Sequence, residues 1–156
     1  LDLPDASVAE LIRPAGYFNV KTRRLKALCA FLSAEGVLDA PEGLAAKAEL
    51  AELRRRLLAV HGIGAETADS ILLYALDLPS FVVDAYTRRI FGRLGLLAGD
   101  ESYAAIQTEF HAHLPHDRTL FNEYHALIVR LGKSACRPKP KCHACPIAMT
   151  CPYPGN

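Results

Sequence analysis

Residues 58–68 read Leu-Ala-Val-His-Gly-Ile-Gly-Ala-Glu-Thr-Ala, and this stretch decides the fold of the chain. Apolar residues at helical spacing lie on both sides of it, so one helix should end near Gly62 and another should begin just after Gly64. Gly62 can take the left-handed conformation that closes a helix, and neither glycine obstructs the approach of another backbone. The stretch therefore predicts two helices joined by a tight hairpin.

This hairpin has two interpretations. Any pair of antiparallel helices could use such a turn for purely structural reasons. Alternatively, the exposed N–H groups at the start of the second helix face an anion such as a phosphate, as helix N-termini commonly do. The residues alone leave both interpretations open.

The rest of the chain is helical in pattern as well. Apolar residues recur at helical spacing in several segments, and a clear set is Leu120, Phe121, Tyr124, Leu127, Ile128 and Leu131. Glycine and proline separate these segments. Phe81–Val83 is strand-like, but it is too short to pair without a partner. The sequence predicts an all-α helical bundle.

Length and composition fit a globular protein. The chain has 156 residues, 51% of them apolar, and a formal net charge of +1, which suits one domain or one domain with a small cofactor-bound appendage. No run approaches the ~18 apolar residues that a membrane-spanning helix needs.

Basic side chains are concentrated in two places. One group is Lys21, Arg23, Arg24 and Lys26; the other is Arg130, Lys133, Arg137, Lys139 and Lys141, with no Asp or Glu between residues 128 and 143. Such groups can attract phosphates. On charge alone, a solvated surface is the better interpretation.

Four cysteines crowd the end of the chain: Cys136, Cys142, Cys145 and Cys151. Their spacing, C-x5-C-x2-C-x5-C, indicates a centre held by soft thiolate ligands. A tetrahedral zinc ion and a cubic iron–sulfur cluster both satisfy it. Spacing alone does not decide between them.

Asp84 stands between the apolar run Phe81–Val83 and a helical segment that begins at Ala85. Its default role is the N-cap of that helix, because aspartate satisfies the unpaired amides there. A capped carboxylate is also held rigidly and kept ionised. The cap is therefore compatible with catalysis.

Together these motifs resemble the endonuclease III superfamily of helix-hairpin-helix DNA glycosylases. Four stretches match in order and span nearly the whole chain: Ile12–Lys21, His61–Ala68, Val82–Tyr86 and the cysteine tail. The resemblance implies a helix-hairpin-helix domain at residues 1–117, which lacks N-terminal helices of the family. It also implies a C-terminal iron–sulfur loop domain at residues 118–156.

The resemblance implies a role for each motif. Asp84 is the catalytic carboxylate, which stabilises the positive charge that develops on the sugar of a flipped nucleotide. The hairpin residues hold the phosphate backbone, and family hairpins often bind a monovalent cation as well. The residues expected to contact DNA are Gly62, Ile63, Gly64, Ala65, Tyr17, Lys133, Arg137, Lys139 and Lys141.

Two of these assignments carry a qualification from the sequence. Tyr17 occupies the position of the family's intercalating wedge, but a core aromatic at a turn explains it equally well. The four cysteines are expected to hold a 4Fe-4S cluster, although the first gap has five residues where endonuclease III usually has six.

Glu66 is the main departure from the family pattern. Bifunctional members have a lysine at this position, which attacks the sugar as a Schiff-base nucleophile. Here a glutamate stands eighteen residues before Asp84, and a carboxylate cannot form an imine. The sequence therefore predicts a monofunctional glycosylase that leaves an abasic site.

The resemblance also bears on substrate and setting. The stretches Glu66–Leu73 and Val83–Tyr86 look closest to the branch that removes alkylated purines. Two alternatives stay open: a bifunctional glycosylase and AP lyase acting on oxidised pyrimidines, and a catalytically silent DNA-binding module. We expect a monomer that acts on double-stranded DNA containing a damaged base, in the cytoplasm (at the nucleoid if the source is prokaryotic), with no membrane partner.

Overall fold

A computed structural model describes residues 2–153, which form seven α-helices. These are α1 (Asp5–Leu11), α2 (Phe18–Ala34), α3 (Leu50–Leu58), α4 (Ala65–Ser70), α5 (Ala85–Arg93), α6 (Tyr103–His113) and α7 (Arg118–Ser134). The helix α4 continues into a π-helical turn, Ile71–Ala75, and the short 3₁₀ helices are Arg13–Ala15, Pro41–Ala46, Cys142–Ala144 and Ala148–Thr150. Residues 2–153 contain no strand, so the all-α prediction is confirmed. A membrane-spanning helix is not found in this range either.

The chain divides by packing into two compact units, one ending at Leu78 and the other beginning at Pro79. The domain boundary predicted from the sequence lies at residues 117/118, between the helix-hairpin-helix domain and the iron–sulfur domain. It is based on function and stays a prediction.

In the first unit, α1 packs on α2 and α3 packs on α4. The buried apolar side chains between these elements form one cluster: Val37, Leu44, Leu53, Leu57, Ala68, Leu72 and Leu76. Ile63 of the hairpin packs against this cluster. Arg54 of α3 binds the fully buried Asp69 of α4 through two hydrogen bonds of 2.8 and 3.0 Å. The hairpin is therefore fixed from both of its helices.

The second unit is built on an aromatic core. Phe81 stacks on Phe110, with ring centroids 3.9 Å apart and planes 9° from parallel. Phe121 meets Phe81 edge-on at 5.4 Å, and Phe91 and Tyr124 complete the group. Stacked and edge-on pairs contribute beyond their buried area, so this core orients the elements around Phe81.

A side-chain cap begins each helix of the second unit. In each case the cap accepts a hydrogen bond from the backbone N–H three residues on, and the caps are Asp84 for α5, Ser102 for α6 and Asp117 for α7. The N-cap prediction at Asp84 is confirmed.

The buried face of α7 differs from the predicted one. Its buried residues are Phe121, His125, Ile128 and Gly132, whereas Leu120 and Leu127 are exposed. The apolar pattern wrongly predicted that these two leucines are buried, because it counts apolar residues only and His125 and Gly132 occupy the buried face. Gly132 gives the helix a flat surface against which the Tyr86 ring packs.

We expect Gly132→Ala to lower the free energy of unfolding by about 1–3 kcal/mol, because the new methyl group would overlap the base of the Tyr86 ring in a packed interior. Gly92→Ala is the matched control in α5, since nothing lies within 4 Å of its added methyl. The free energy of unfolding of this control should rise by roughly 0.5–1 kcal/mol, because alanine has a higher helix propensity than glycine. Urea denaturation measures both, and equal midpoints would contradict the packing argument.

Candidate nucleic-acid interface and active site

The hairpin forms as predicted, with one difference in register. Gly62 has φ +85°, the left-handed conformation that the sequence led us to expect. However, α3 already ends at Leu58, so Gly62 lies within the turn and is not the cap of that helix. Gly64 begins α4 in an extended conformation, with no side chain bonded to the amides of the first turn and nothing within 4 Å of an added methyl. The outer side of the hairpin is therefore open.

Arg24 is the residue that the structure adds to this hairpin. Its aliphatic stem lies directly over Gly62, where any Cβ would overlap it. The side chain is exposed, and no hydrogen bond or ion pair engages its guanidinium within residues 2–153. The sequence placed Arg24 only in a basic group, because residues 24 and 62 are far apart in the chain. A pattern of charged residues does not predict a close contact with a distant glycine.

Tyr17 lies at the start of α2, next to Gly16. Its side chain is 87% exposed, which excludes the interpretation as a core aromatic. Its backbone has φ +48°, an uncommon conformation for a residue with a side chain. The sequence-predicted wedge role is compatible with this exposure and stays a prediction.

Glu66 lies exposed in the first turn of α4. An acidic side chain there complements the partial positive charge of the helix start. This local role explains why a glutamate is tolerated at the position, independently of any chemistry.

Asp84 is held by two helices of the second unit. Its Oδ1 accepts hydrogen bonds from the Thr87 backbone N–H at 2.7 Å and from the Thr87 hydroxyl at 3.0 Å. Its Oδ2 faces Nε2 of His125 on α7 at 3.5 Å. Both side chains are nearly buried, at 11% exposure for Asp84 and 10% for His125.

The environment keeps Asp84 ionised. Burial raises the pKa of this carboxyl, but the facing His125 imidazole and the hydrogen bonds from Thr87 outweigh burial, and the pKa lies below its ordinary value. The result is a fixed anion with one oxygen directed at an imidazole.

His125 is a site residue that the sequence analysis missed. It sits in α7 between two apolar residues of the predicted stripe, at a position that turns out to be buried. A histidine on a buried helical face is a weak indication of a polar partner, because core histidines are also common.

The four tail cysteines come together. Cys136, Cys142, Cys145 and Cys151 line one cavity of about 20 Å³, which Arg93 and Tyr153 also border. All four are free thiols and half-buried. The Arg93 guanidinium donates to the Cys136 sulfur at 3.3 Å and to the carbonyls of Arg137 and Pro138.

No three potential ligand side chains within residues 2–153 are close enough to hold a single metal ion. Four cysteine thiols around one cavity nevertheless supply the donor set that a four-cysteine iron–sulfur cluster uses.

The basic side chains near the tail are available to solvent. Lys133 lies in the last turn of α7, and Arg137, Lys139 and Lys141 lie in the loop between the first two cysteines; all four are exposed.

Comparison with known proteins places these features in a family. Residues 1–116 match the model of the HhH-GPD superfamily base excision DNA repair proteins. The chain belongs to the HhH-GPD superfamily. This confirms the resemblance drawn from the hairpin, the aspartate and the tail, whereas membership of a lysine-lacking branch stays a prediction.

Relatives agree with this membership. A proposed DNA repair glycosylase of Methanocaldococcus jannaschii is 46% identical over 97% of this HhH-GPD chain and 68% of its own length. Endonuclease III of Sulfolobus acidocaldarius is 33% identical over 94% of the chain and 62% of its own length. A trapped endonuclease III–DNA covalent intermediate has a similar fold, with a TM-score of 0.75 at 25% identity over 96% of the chain and 65% of its own. The chain thus spans about two thirds of the length of these relatives.

In this HhH-GPD chain we expect His125→Leu to raise the pKa of Asp84, because the contact with the imidazole is lost while burial remains. The pKa is measured by following the NMR shift of the Asp84 carboxyl carbon as a function of pH. Because the pKa of Asp84 is lower in the folded state, its ionisation stabilises the fold. This contribution is fully present at a pH above the pKa of the unfolded state, ~3.9, and it is lost as the pH falls through the pKa of the folded state.

His113→Leu is the control for this titration, since His113 is exposed and pairs only with Glu109 in the same helix. It should leave the Asp84 titration unchanged. An unchanged Asp84 pKa in His125→Leu would show that Thr87 alone keeps the carboxylate ionised.

Proposed function

We propose that this chain is a monofunctional DNA glycosylase, which flips a damaged nucleotide out of duplex DNA and hydrolyses its N-glycosidic bond. The observation that carries the proposal is Asp84: a nearly buried carboxylate whose pKa is lowered, fixed by Thr87 and His125. Family membership supplies the class of reaction.

In this mechanism the bond from the sugar C1′ to the base nitrogen breaks, and its electron pair leaves with the base. The sugar becomes cationic, and the Asp84 anion stabilises that charge. Water then adds to C1′ and releases one proton to the solvent, which gives an abasic site. Such electrostatic help needs an acid that is already ionised and does not have to move, and the Thr87 and His125 contacts supply both conditions.

Glu66 supports hydrolysis over strand cleavage. An AP lyase of this family needs an amine that forms an imine with the sugar, and the side chain at this position is a carboxylate. The bifunctional alternative rests on the name endonuclease III that several relatives carry. It would require a lysine from another part of the protein.

We propose that the duplex is held by the open hairpin Gly62–Ala65, together with Arg24. The exposed backbone amides and the Arg24 guanidinium, which has no hydrogen-bond or ion-pair partner among residues 2–153, are suited to phosphate oxygens. Carbonyls of the hairpin would hold a monovalent cation. Tyr17 would act as the wedge, and Lys133, Arg137, Lys139 and Lys141 would add phosphate contacts.

We also propose that Cys136, Cys142, Cys145 and Cys151 hold a 4Fe-4S cluster. The cluster would serve as a scaffold for the loop that carries Arg137, Lys139 and Lys141. The hydrogen bonds of Arg93 to the Cys136 sulfur and to two loop carbonyls support this role, since they fix the same loop from α5.

Alkylated purines are the proposed substrates. A base that is already cationic leaves without protonation, so an anion that stabilises the sugar is sufficient and no general acid is required. Asp84 suits this reaction, because its lowered pKa keeps it ionised.

The test is single-turnover incubation of the cluster-loaded protein with duplexes that contain an alkylated purine, an oxidised pyrimidine, uracil, or adenine opposite oxidised guanine. We expect strand breaks on the alkylated duplex only after hot alkali, and no adduct with borohydride. Breaks without alkali, with a trapped adduct, would establish the bifunctional alternative.

Asp84→Asn should abolish base release in the same assay while leaving DNA affinity nearly unchanged. Wild-type protein that binds DNA and releases no base from any duplex would instead indicate the catalytically silent binding module.

We expect Arg24→Ala to weaken DNA binding by a similar factor for every sequence and to reduce the slope of log K against log salt by about 1, as for the loss of one phosphate contact. Arg23→Ala is the control, an exposed neighbour on the same helix. Fluorescence anisotropy over a salt series measures both. Equal losses in the two variants would mean that general basic charge, and not the position over Gly62, is responsible.

A further inference from the structure

The backbone that leads into Asp84 presents a physical problem. Residues Ser80 to Val83 are buried to 1% exposure or less, and they belong to no helix or strand. Buried N–H and C=O groups need partners, because an unpaired one costs free energy comparable to a lost hydrogen bond. The apolar side chains of this run fill the core, but they give no directional constraint.

One face of α6 supplies partners for three of these backbone groups. The N–H of Phe81 donates to Nε2 of His111 at 3.0 Å, and the Phe81 carbonyl accepts from the Gln107 amide at 2.7 Å. The N–H of Val83 donates to the Tyr103 hydroxyl at 3.3 Å. Tyr103, Gln107 and His111 are spaced by four residues and therefore lie in a row on the helix. This row therefore binds backbone groups of a segment that has no helix or strand of its own to satisfy them.

The row is itself held in place. Gln107 is buried at 8% exposure and also reaches the Ser80 hydroxyl at 3.5 Å. The His111 ring stacks on Phe121 with planes 3° from parallel. Only a neutral imidazole with its proton on Nδ1 can accept the Phe81 hydrogen bond on Nε2. The aromatic core thus orients the acceptor that fixes the backbone.

We propose that Tyr103, Gln107 and His111 are positioning residues for Asp84, which rests on the function proposed above. Asp84 follows Val83 directly, and its carboxylate is anchored at Thr87 on the other side. The Tyr103–Gln107–His111 row sets where the chain enters α5, and the cap sets how the carboxylate points. A displacement of about 1 Å can cost a reaction 10²-fold, so loss of the row should reduce base release without a change in DNA affinity.

The test uses Tyr103→Phe, which removes one hydroxyl, and the pair His111→Leu and His111→Gln. Leucine removes the acceptor, whereas the glutamine carbonyl can still accept from Phe81. Thr108→Val is the control on the same helix, because its exposed hydroxyl bonds only within α6, to the Ala104 carbonyl. We would measure the single-turnover rate of base release and the Kd for the lesion duplex.

We expect Tyr103→Phe and His111→Leu to slow base release by about 10- to 100-fold with Kd changed by less than a factor of two. His111→Gln should recover most of the rate, and Thr108→Val should match the wild type. A parallel loss of rate and affinity, or no rate loss in Tyr103→Phe, would overturn the proposal.

An NMR measurement separates this proposal from the proposed function. Wild-type amides of Phe81 and Val83 should exchange slowly, and a scalar coupling should connect the Phe81 amide nitrogen to His111 Nε2. In Tyr103→Phe the Val83 amide should lose protection and the Asp84 carboxyl carbon should shift. An Asp84 resonance that does not move would overturn the positioning role, even in a protein that releases no base.

Discussion

Asp84 has to remain a charged group while nearly buried, and the second unit is organised around that constraint. Burial opposes ionisation, so the carboxylate needs polar partners, and Thr87 of α5 and His125 of α7 provide them. The cap contributes to the stability of α5 and to the orientation of the anion at once. The structural role of Asp84 and the catalytic role proposed for it therefore depend on the same contacts.

The first unit meets a different constraint, which is to keep a turn open and yet rigid. Gly62 provides the left-handed backbone and the space under Arg24. Ile63 and the Arg54–Asp69 ion pair attach the hairpin to the core. Rigidity matters for phosphate recognition, because amides that are already oriented do not lose conformational entropy on binding. The same residues that make the turn possible leave its outer side uncovered.

The tail illustrates how a segment without an apolar core can be ordered. Its cysteines surround one cavity, and α5 contributes arginines that bond the first cysteine and its neighbours. Arg89 reaches the carbonyls of Gly132 and Cys136, so the end of α7 and the start of the tail are connected to α5. The basic loop is thereby attached to the helix that Asp84 begins.

Much of this protein follows from the sequence by itself. Helical spacing determined the all-α class, the Gly-x-Gly stretch determined the hairpin, and Asp84 was identifiable as a cap, because these features depend on neighbours within a few residues. Family membership followed from their order. What only the tertiary structure decided are contacts between residues far apart in sequence: Arg24 over Gly62, His125 beside Asp84, and the row on α6 that holds Phe81–Val83. Periodicity identifies which residues share a helical face, but the side chain that meets that face belongs to another helix, and only packing brings the two together.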